Sequence, residues 1–151
     1  MSAICFSVPG EPKGKGRPRF VRKTGRTYTD ARTLSYETLI GWTASQAMGA
    51  LDPLEGPLCL TVTARFTPAA STSRKACALM LSGEIPPAKR PDPDNIAKAV
   101  MDGLNGVVWV DDAQVVSLFI AKRYAEKPGL DIVIRPYVAT EVDSARERAV
   151  A

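Results

Sequence analysis

Alternating apolar and polar positions mark several short stretches of the chain, and this alternation predicts β-strands. The clearest stretch runs from Leu58 to Thr67, where every second residue is apolar and the residues between them are mostly polar. The same alternation and short apolar runs predict further strands at Ile4–Val8, 107–110, 115–124 and 130–134. The chain therefore contains enough predicted strands for a sheet of its own.

Apolar residues at helical spacing predict three helices in the remaining segments. They are expected from the N-cap Asp30 to about Met48, from a cap at Ser71 or Thr72 to Met80, and from about Asn95 to Leu104. The segment Glu11–Thr29 is basic and rich in glycine, and we expect a loop or a loose hairpin there. The segment Ile85–Pro93 contains four prolines and is expected to be an extended loop.

The order of these elements favours an α+β fold, with a single small domain built from a mixed sheet and helices. The turn Lys127–Gly129 predicts that the last two strands form a hairpin, which a regular parallel α/β fold would not contain. A length of 151 residues with 45% apolar residues suits one domain with its own core. We expect this domain at residues 1–138 and treat 139–151 as a C-terminal tail, helical or disordered, without an assigned role.

The residue composition excludes several kinds of site. Histidine is absent, so imidazole catalysis and the usual Cys/His zinc sites are excluded, and carboxylates, lysine and a hard metal must carry any catalysis. Three widely spaced cysteines indicate a reducing compartment rather than a disulfide framework. We find no signal-peptide pattern or membrane-spanning run and expect a cytoplasmic protein. Cys5, Cys59 and Trp109 are expected in the core.

Positive charge is concentrated near the start of the chain. The net charge is only +4, but seven of the twenty Lys and Arg residues lie between Lys13 and Arg26, with only Glu11 nearby to oppose them. A concentrated basic segment suggests a polyanionic partner, such as the phosphates of DNA, and the alternative is a solvated flexible loop. Phe20 and Tyr28 could stack on an unpaired base, but we expect them to pack in the core.

The most informative stretch is the end of the proline-rich loop, with Asp92 and Asp94. The proline between them favours an extended backbone, in which residues two apart point to the same side, so both carboxylates can converge on one cation. Magnesium prefers such oxygen ligands, and phosphodiester hydrolysis needs a hard cation. Lys98 follows one helical turn later, where it can stabilise transition-state charge. The alternative to a metal site is that these aspartates only form a turn and cap the helix. Lys98 would then belong to a solvated ladder of ion pairs with Asp94 and Asp102.

Beyond this spacing, the residues between Asp92 and Val115 resemble the signature of RusA-type Holliday-junction resolvases. The family pattern is roughly D-x-D-N-x-x-K, then D-x-L, then D-D-x-Q-[VI]. The chain matches it with Asp92, Asp94, Asn95 and Lys98, then Asp102 and Leu104, then Asp111, Asp112, Gln114 and Val115. The basic glycine-rich loop is also similar to this family, so the resemblance covers residues 3–137.

The resemblance implies a homodimeric endonuclease that uses magnesium, or manganese, and nicks four-way DNA junctions symmetrically in the cytoplasm of a bacterial or phage-infected cell. It implies that Asp92, Asp94 and Asp112 bind the metal and that Lys98 is the catalytic lysine. Neighbours on a strand point to opposite faces, so only one of Asp111 and Asp112 is expected at the ion. Branched DNA is the expected partner, with no membrane and no small-molecule cofactor. Phosphate contacts are expected from Lys13, Lys15, Arg17, Arg19, Lys89 and Arg90.

Three other functions remain open. The same nuclease chemistry could act on flaps or other branched DNA. The aspartates could instead only cap and bridge elements in a non-catalytic DNA-binding protein, or they could hold calcium in a structural domain. The calcium hypothesis is weakened because the chain lacks the D-x-[DN]-x-[DN]-G loop of an EF-hand.

Overall fold

The structure of the protein is a computed structural model that describes residues 2–139. In chain order, the strands and α-helices of this part are β1 (Ile4–Pro9), β2 (Arg19–Val21), β3 (Arg26–Tyr28), α1 (Ala31–Met48), β4 (Leu58–Phe66), α2 (Arg74–Ser82), α3 (Pro93–Leu104), β5 (Val115–Tyr124) and β6 (Gly129–Pro136). The predicted tail, apart from Ala139, lies outside the described residues. Within 2–139, no helix is long and apolar enough to cross a membrane.

The main sheet has four strands in the order β1-β6-β4-β5. β4 lies in its interior, antiparallel to β6 and parallel to β5, while β1 pairs antiparallel with the other side of β6. β2 and β3 form a separate two-stranded ribbon, which confirms the loose hairpin expected within Glu11–Thr29. A mixed sheet combined with helices confirms the predicted α+β domain.

β5 and β6 do not form the predicted hairpin, because β4 lies between them. Their connection passes over the end of β4, where the backbone N–H of Ala125 donates to the carbonyl oxygen of Phe66 at 2.8 Å. The guanidinium of Arg65 also donates to the carbonyl oxygen of Lys127, at 2.8 Å. The turn residues Lys127–Gly129 correctly indicated where the chain reverses. They carried no information on which strand lies between β5 and β6.

The core lies between one face of the sheet and the helices α1 and α3. The alternating apolar residues of β4 are all buried, as predicted: Leu58, Leu60, Val62, Ala64 and Phe66. The two helices approach closely at glycines, since a Cβ atom on Gly103 would lie 2.9 Å from the carbonyl oxygen of Glu37. A Cβ atom on Gly41 would lie 2.8 Å from the carbonyl oxygen of Gly103. This close packing sets the position of α3, which carries Asp94 in its first turn.

Three local predictions of secondary structure are corrected. Residues 107–110 form turns and an isolated bridge rather than a strand, although Trp109 is fully buried as expected. The N-cap of α2 is Ser73, which is one or two residues later than predicted. α3 begins at Pro93 rather than after it, because proline suits the first helical position, where an N–H donor is not needed.

The burial of three residues differs from prediction. Cys59 is buried as expected, but Cys5 is exposed because it alternates along β1 with the buried Ile4 and Val8 and so points to the opposite face. The expectation that Phe20 and Tyr28 pack in the core is wrong, since these side chains are 62% and 49% exposed. They lie on β2 and β3, which are separate from the main sheet and whose residues are all exposed.

Candidate active site

An open cleft of about 940 Å³ lies between the loop that precedes β2 and the start of α3. Its charged lining residues are Lys13, Lys15, Arg17, Arg90, Asp92, Asp94 and Lys98. The cleft therefore brings together most of the residues predicted for catalysis and DNA contact. The predicted residues Asp112, Arg19 and Lys89 are not among those that line it.

Asp92 occupies the N-cap position of α3, yet its side chain makes no capping hydrogen bond. By contrast, Asp30 and Ser73, the N-caps of α1 and α2, accept hydrogen bonds from backbone N–H groups. Asp92 is also exposed, so both of its carboxylate oxygens are available to a ligand. Its backbone is extended as expected, but Asp94 already lies in the helix. A loop end and a first helical turn, rather than one extended segment, bring the two carboxylates to the cleft.

Asp94 and Lys98 form an ion pair across one turn of α3, with 4.0 Å between Oδ2 and Nζ. Their side chains are 69% and 65% exposed, so water screens the pair and it contributes less than about 1 kcal/mol. Either group can therefore exchange this partner for a bound cation or a phosphate oxygen. The N-terminus of α3, with its partial positive charge, borders the same cleft and favours anions there.

Lys15 connects the loop that precedes β2, here called the basic loop, to both α1 and α3. Its ammonium group donates a hydrogen bond to the carboxylate of Asp102 and lies 3.4 Å from Oε1 of Glu37. Its backbone N–H donates to the carbonyl oxygen of Asn95 at 2.9 Å. The hydrogen bond to Asp102 is the main cause that raises the pKa of Lys15, and desolvation opposes it. Asp102 is thus paired with Lys15. The alternative ladder of ion pairs along α3 would instead require Asp102 to pair with Lys98.

Two glycines allow the basic loop to lie directly against the helices. A Cβ atom on Gly14 would lie 2.9 Å from the Cβ atoms of both Asn95 and Pro91, so any other residue would push the loop away from α3. The backbone N–H of Gly16 donates to Oγ1 of Thr33 on α1 at 3.3 Å. The loop is therefore held in place beside the two cleft carboxylates rather than only solvated.

Asp112, the third predicted metal ligand, lies in a 3₁₀ helix (Asp112–Gln114) before β5. Its Oδ1 accepts a hydrogen bond from the indole N–H of Trp109 at 2.8 Å. Among residues 2–139, no group of three or more Asp, Glu, His or Cys side chains is arranged to hold a metal ion. The structure places Asp92 and Asp94 in one cleft, and the metal role of Asp112 stays a prediction.

The two cleft carboxylates fit magnesium by their chemistry. Magnesium commonly takes one or two carboxylates and completes its sphere with waters and substrate phosphates. Asp92 offers a carboxylate that capping does not use, and Asp94 offers one that is held by a screened ion pair. The donor chemistry of the cleft is therefore compatible with a hard cation that also binds the substrate.

Asp111 and Gln114 serve the structure of the loop before β5. The side chain of Asp111 caps the 3₁₀ helix, and Gln114 completes a capping box with it. The amide nitrogen of Gln114 donates to the carbonyl oxygens of Leu54 and Gly56, at 2.8 and 3.1 Å. These contacts give the D-D-x-Q part of the motif a folding role that the sequence pattern alone did not indicate.

Lys89 and Arg90, in the proline-rich loop, have different surroundings. The Lys89 ammonium lies 5.4 Å from the centroid of the Phe66 ring and 5.8 Å from that of Tyr124, within cation–π range. Lys122 on β5 donates a hydrogen bond to the carbonyl oxygen of Lys89 and so ties the loop to the sheet. Arg90 lines the cleft. Lys122 was not predicted from the sequence, because nothing in its local spacing links it to the loop.

Comparisons with known proteins extend the likeness well beyond the acidic motif. A sequence model of the family "Endodeoxyribonuclease RusA" matches residues 9–135, which run from the end of β1 to the end of β6. The chain is also similar to an uncharacterized protein of Bacillus subtilis (strain 168), YqaN, with 34% identity over 139 residues that cover 89% of this chain and 97% of YqaN. The chain therefore belongs to the RusA family of endodeoxyribonucleases, Holliday-junction resolvases that hydrolyse DNA.

Proposed function

We propose that the cleft is the active site of a magnesium-dependent endonuclease that nicks four-way DNA junctions symmetrically as a homodimer. The observation that carries the proposal is the free carboxylate of Asp92 beside Asp94 and Lys98, in a cleft that basic residues share. Membership of the RusA family supports the choice of a four-way junction as substrate.

Asp92 and Asp94 would hold the metal ion, and manganese would serve as a substitute. When bound, the ion would neutralise phosphate charge and lower the pKa of a water molecule. Asp112 is a further proposed ligand, with Trp109 holding one of its two oxygens. Lys98, one turn from Asp94, would stabilise the additional negative charge that the phosphate acquires in the transition state.

Basic residues of the cleft would bind the DNA backbone. Lys13, Arg17 and Arg90 line the cleft, and Arg19 follows on β2. Phosphate contacts of this kind position the duplex without reading its sequence, and they make binding fall steeply with salt. Lys15 is already held by two carboxylates, so its contribution to phosphate binding would be smaller than that of its neighbours.

The proposed homodimer is supported by exposed apolar residues of β5. This strand lies at the edge of the sheet and exposes Val116, Leu118 and Phe119. An edge strand with exposed apolar residues is a ready surface for pairing with a second chain. A two-fold dimer would present two clefts in the symmetric arrangement that paired cuts in a junction require.

A cleavage assay tests the proposal with a synthetic four-way junction and a linear duplex, each with magnesium or EDTA. The expected result is paired symmetric nicks in the junction, with magnesium only. The variant Asp92→Asn should abolish cutting while junction binding stays intact or becomes tighter, since a negative charge near the phosphates is removed. Asp52→Asn is the matched control, because Asp52 is also exposed and followed by proline but lies outside the cleft.

Other results would lead to other functions. Equal cutting of flaps and junctions would assign a broader nuclease for branched DNA. Tight binding without any cutting would assign a non-catalytic DNA-binding protein. Loss of folding in Asp92→Asn would show that this carboxylate is structural, a result that its exposure and missing cap bond argue against.

A further inference from the structure

The segment from Arg17 to Tyr28, here called the basic hairpin, has an unusual surface. It contains the ribbon of β2 and β3 and carries Arg17, Arg19, Arg22, Lys23 and Arg26, with no acidic residue. Every residue of the two strands is exposed, including the aromatic rings of Phe20 and Tyr28. Exposed aromatic rings among five cations are not explained by packing within the domain.

The two rings lie on opposite faces of the ribbon. Arg19 pairs with Tyr28 and Phe20 pairs with Thr27, and paired residues in an antiparallel ribbon point to the same face. Tyr28 therefore shares its face with Arg19, while Phe20 lies on the other face. The face of Tyr28 thus also carries Arg19 and Arg26, while Phe20 shares its face with Thr27, and Arg22 follows in the turn.

The chemistry of this surface matches an unpaired nucleotide. A nucleobase is flat and stacks on aromatic rings, while its phosphates pair with Lys and Arg, and proteins that bind single strands combine these two features. Bases within a continuous duplex are already stacked on one another, so they offer the rings no free face. The matching partner is therefore DNA with locally unpaired bases, as at a branch point.

The basic hairpin also continues directly into the cleft. Arg17, its first residue, lines the cleft together with Asp92 and Asp94. Phosphates bound along this segment would therefore lead from the two carboxylates to the ribbon. We propose that Phe20 and Tyr28 stack on unpaired bases next to the branch point of DNA held in the cleft, an inference that rests on the proposed function.

The test compares binding of Phe20→Leu and Tyr28→Leu with that of the wild-type protein, in EDTA so that no cutting occurs. The substrates are a four-way junction and a linear duplex of equal length. Each variant should bind the junction at least about fivefold more weakly, while duplex binding changes less than about twofold. Trp42→Leu is the matched control, because Trp42 is an equally exposed ring on α1, and it should leave both affinities unchanged.

The salt dependence of binding separates stacking from charge. Phe20→Leu removes no charge, so the slope of affinity against salt concentration should stay at its wild-type value, whereas Arg22→Ala should flatten it. A junction with 5-iodouracil next to the branch point should also crosslink to Phe20 or Tyr28 under ultraviolet light, as identified by mass spectrometry. Crosslinking to neither residue would contradict the proposal.

The outcomes distinguish this proposal from the proposed function. If wild-type protein prefers junction to duplex and both leucine variants keep that preference, only the stacking role is wrong. If wild-type protein binds the two substrates equally, the junction-specific function fails and the stacking role fails with it. If the variants lose junction and duplex affinity alike, the rings support the ribbon and do not recognise unpaired bases.

Discussion

The ammonium group of Lys15 donates a hydrogen bond to the carboxylate of Asp102, although the two residues lie 87 positions apart in the chain. Glu37 on α1 contributes a second carboxylate to the same ammonium group. The basic loop, the first half of α1 and the end of α3 are thus joined through one side chain. The pair holds the basic loop, which forms one side of the cleft, close to α3.

We expect the Lys15–Asp102 pair to contribute measurably to folding. In a double-mutant cycle with Lys15→Met and Asp102→Asn, the coupling energy should be about 0.5–1 kcal/mol, measured by urea unfolding at pH 7. Because the pKa of Lys15 is raised from its ordinary value of 10.5, this contribution is complete below that pH and is lost as the pH rises through the folded value.

The matched control is the pair Asp94 and Lys98, which is more exposed and has 4.0 Å between its charged atoms. Its coupling energy should be no more than about 0.5 kcal/mol. Equal coupling in the two cycles would mean that the link between the loop and α3 is no stronger than an ordinary surface ion pair.

Tyr36 gives the folded protein a second dependence on alkaline pH. Burial raises the pKa of Tyr36 from 10.0 to about 12, with a small opposing effect from the backbone of Lys13. The raised pKa means that the contribution of Tyr36 to the free energy of unfolding is complete below pH 10 and falls as the pH rises through 12, by about 3 kcal/mol in total. The variant Tyr36→Phe should lose this part of the pH dependence, as measured by urea unfolding between pH 9 and 12.

At pH 7 the same variant should be as stable as the wild-type protein or slightly more stable. The Tyr36 hydroxyl is buried and makes no hydrogen bond of normal geometry with a described residue, and its interaction with the backbone of Lys13 is secondary to burial, so its removal leaves no strongly paired group without its partner. Tyr28→Phe is the control, since Tyr28 is exposed. A clear loss of stability at pH 7 in Tyr36→Phe would show that the hydroxyl has a partner after all.

The contact between α1 and α3 predicts an unusual sign for a glycine substitution. In a helix, glycine to alanine normally stabilises by up to about 1 kcal/mol. At Gly103 the new Cβ would lie 2.9 Å from both the carbonyl oxygen of Glu37 and the side chain of Ile40. We therefore expect Gly103→Ala to destabilise the protein by about 1–3 kcal/mol, measured by thermal or urea unfolding.

Ser45→Ala is the control for helix propensity, because Ser45 is exposed on α1. It should be neutral or slightly stabilising. If Gly103→Ala were also neutral, the two helices would have room to move apart, and the close contact would not set the position of α3.

The sequence indicates the structure best where local chemistry decides the outcome. The alternation in Leu58–Phe66 and the N-cap Asp30 specify their elements through neighbours in the chain, and both are found as expected. The placement of Asp92, Asp94 and Lys98 on one cleft follows in the same way, because the three lie within seven residues. Local order along the chain is enough to bring such residues together.

The errors arose where distant parts of the chain meet. The order of β4, β5 and β6 depends on strand pairing that no turn residue encodes. The exposure of Phe20 and Tyr28 depends on whether the ribbon of β2 and β3 packs against the main sheet. The apolar character of these two residues alone does not determine this packing. Likewise, Asp102 was placed with its helical neighbours, while its actual partner Lys15 comes from the start of the chain.

Trp109 and Asp112 provide the sharpest test of the third proposed metal ligand. The indole N–H of Trp109 is held by Oδ1 of Asp112, so Asp112→Ala should destabilise the protein by about 1–3 kcal/mol by leaving this donor unpaired. Asp112→Asn keeps an oxygen acceptor and should retain most of the stability, measured by urea unfolding. If Asp112 also binds the metal, the asparagine variant should still lose junction cutting. A stable Asp112→Asn variant that cuts at the wild-type rate would limit this residue to its bond with Trp109.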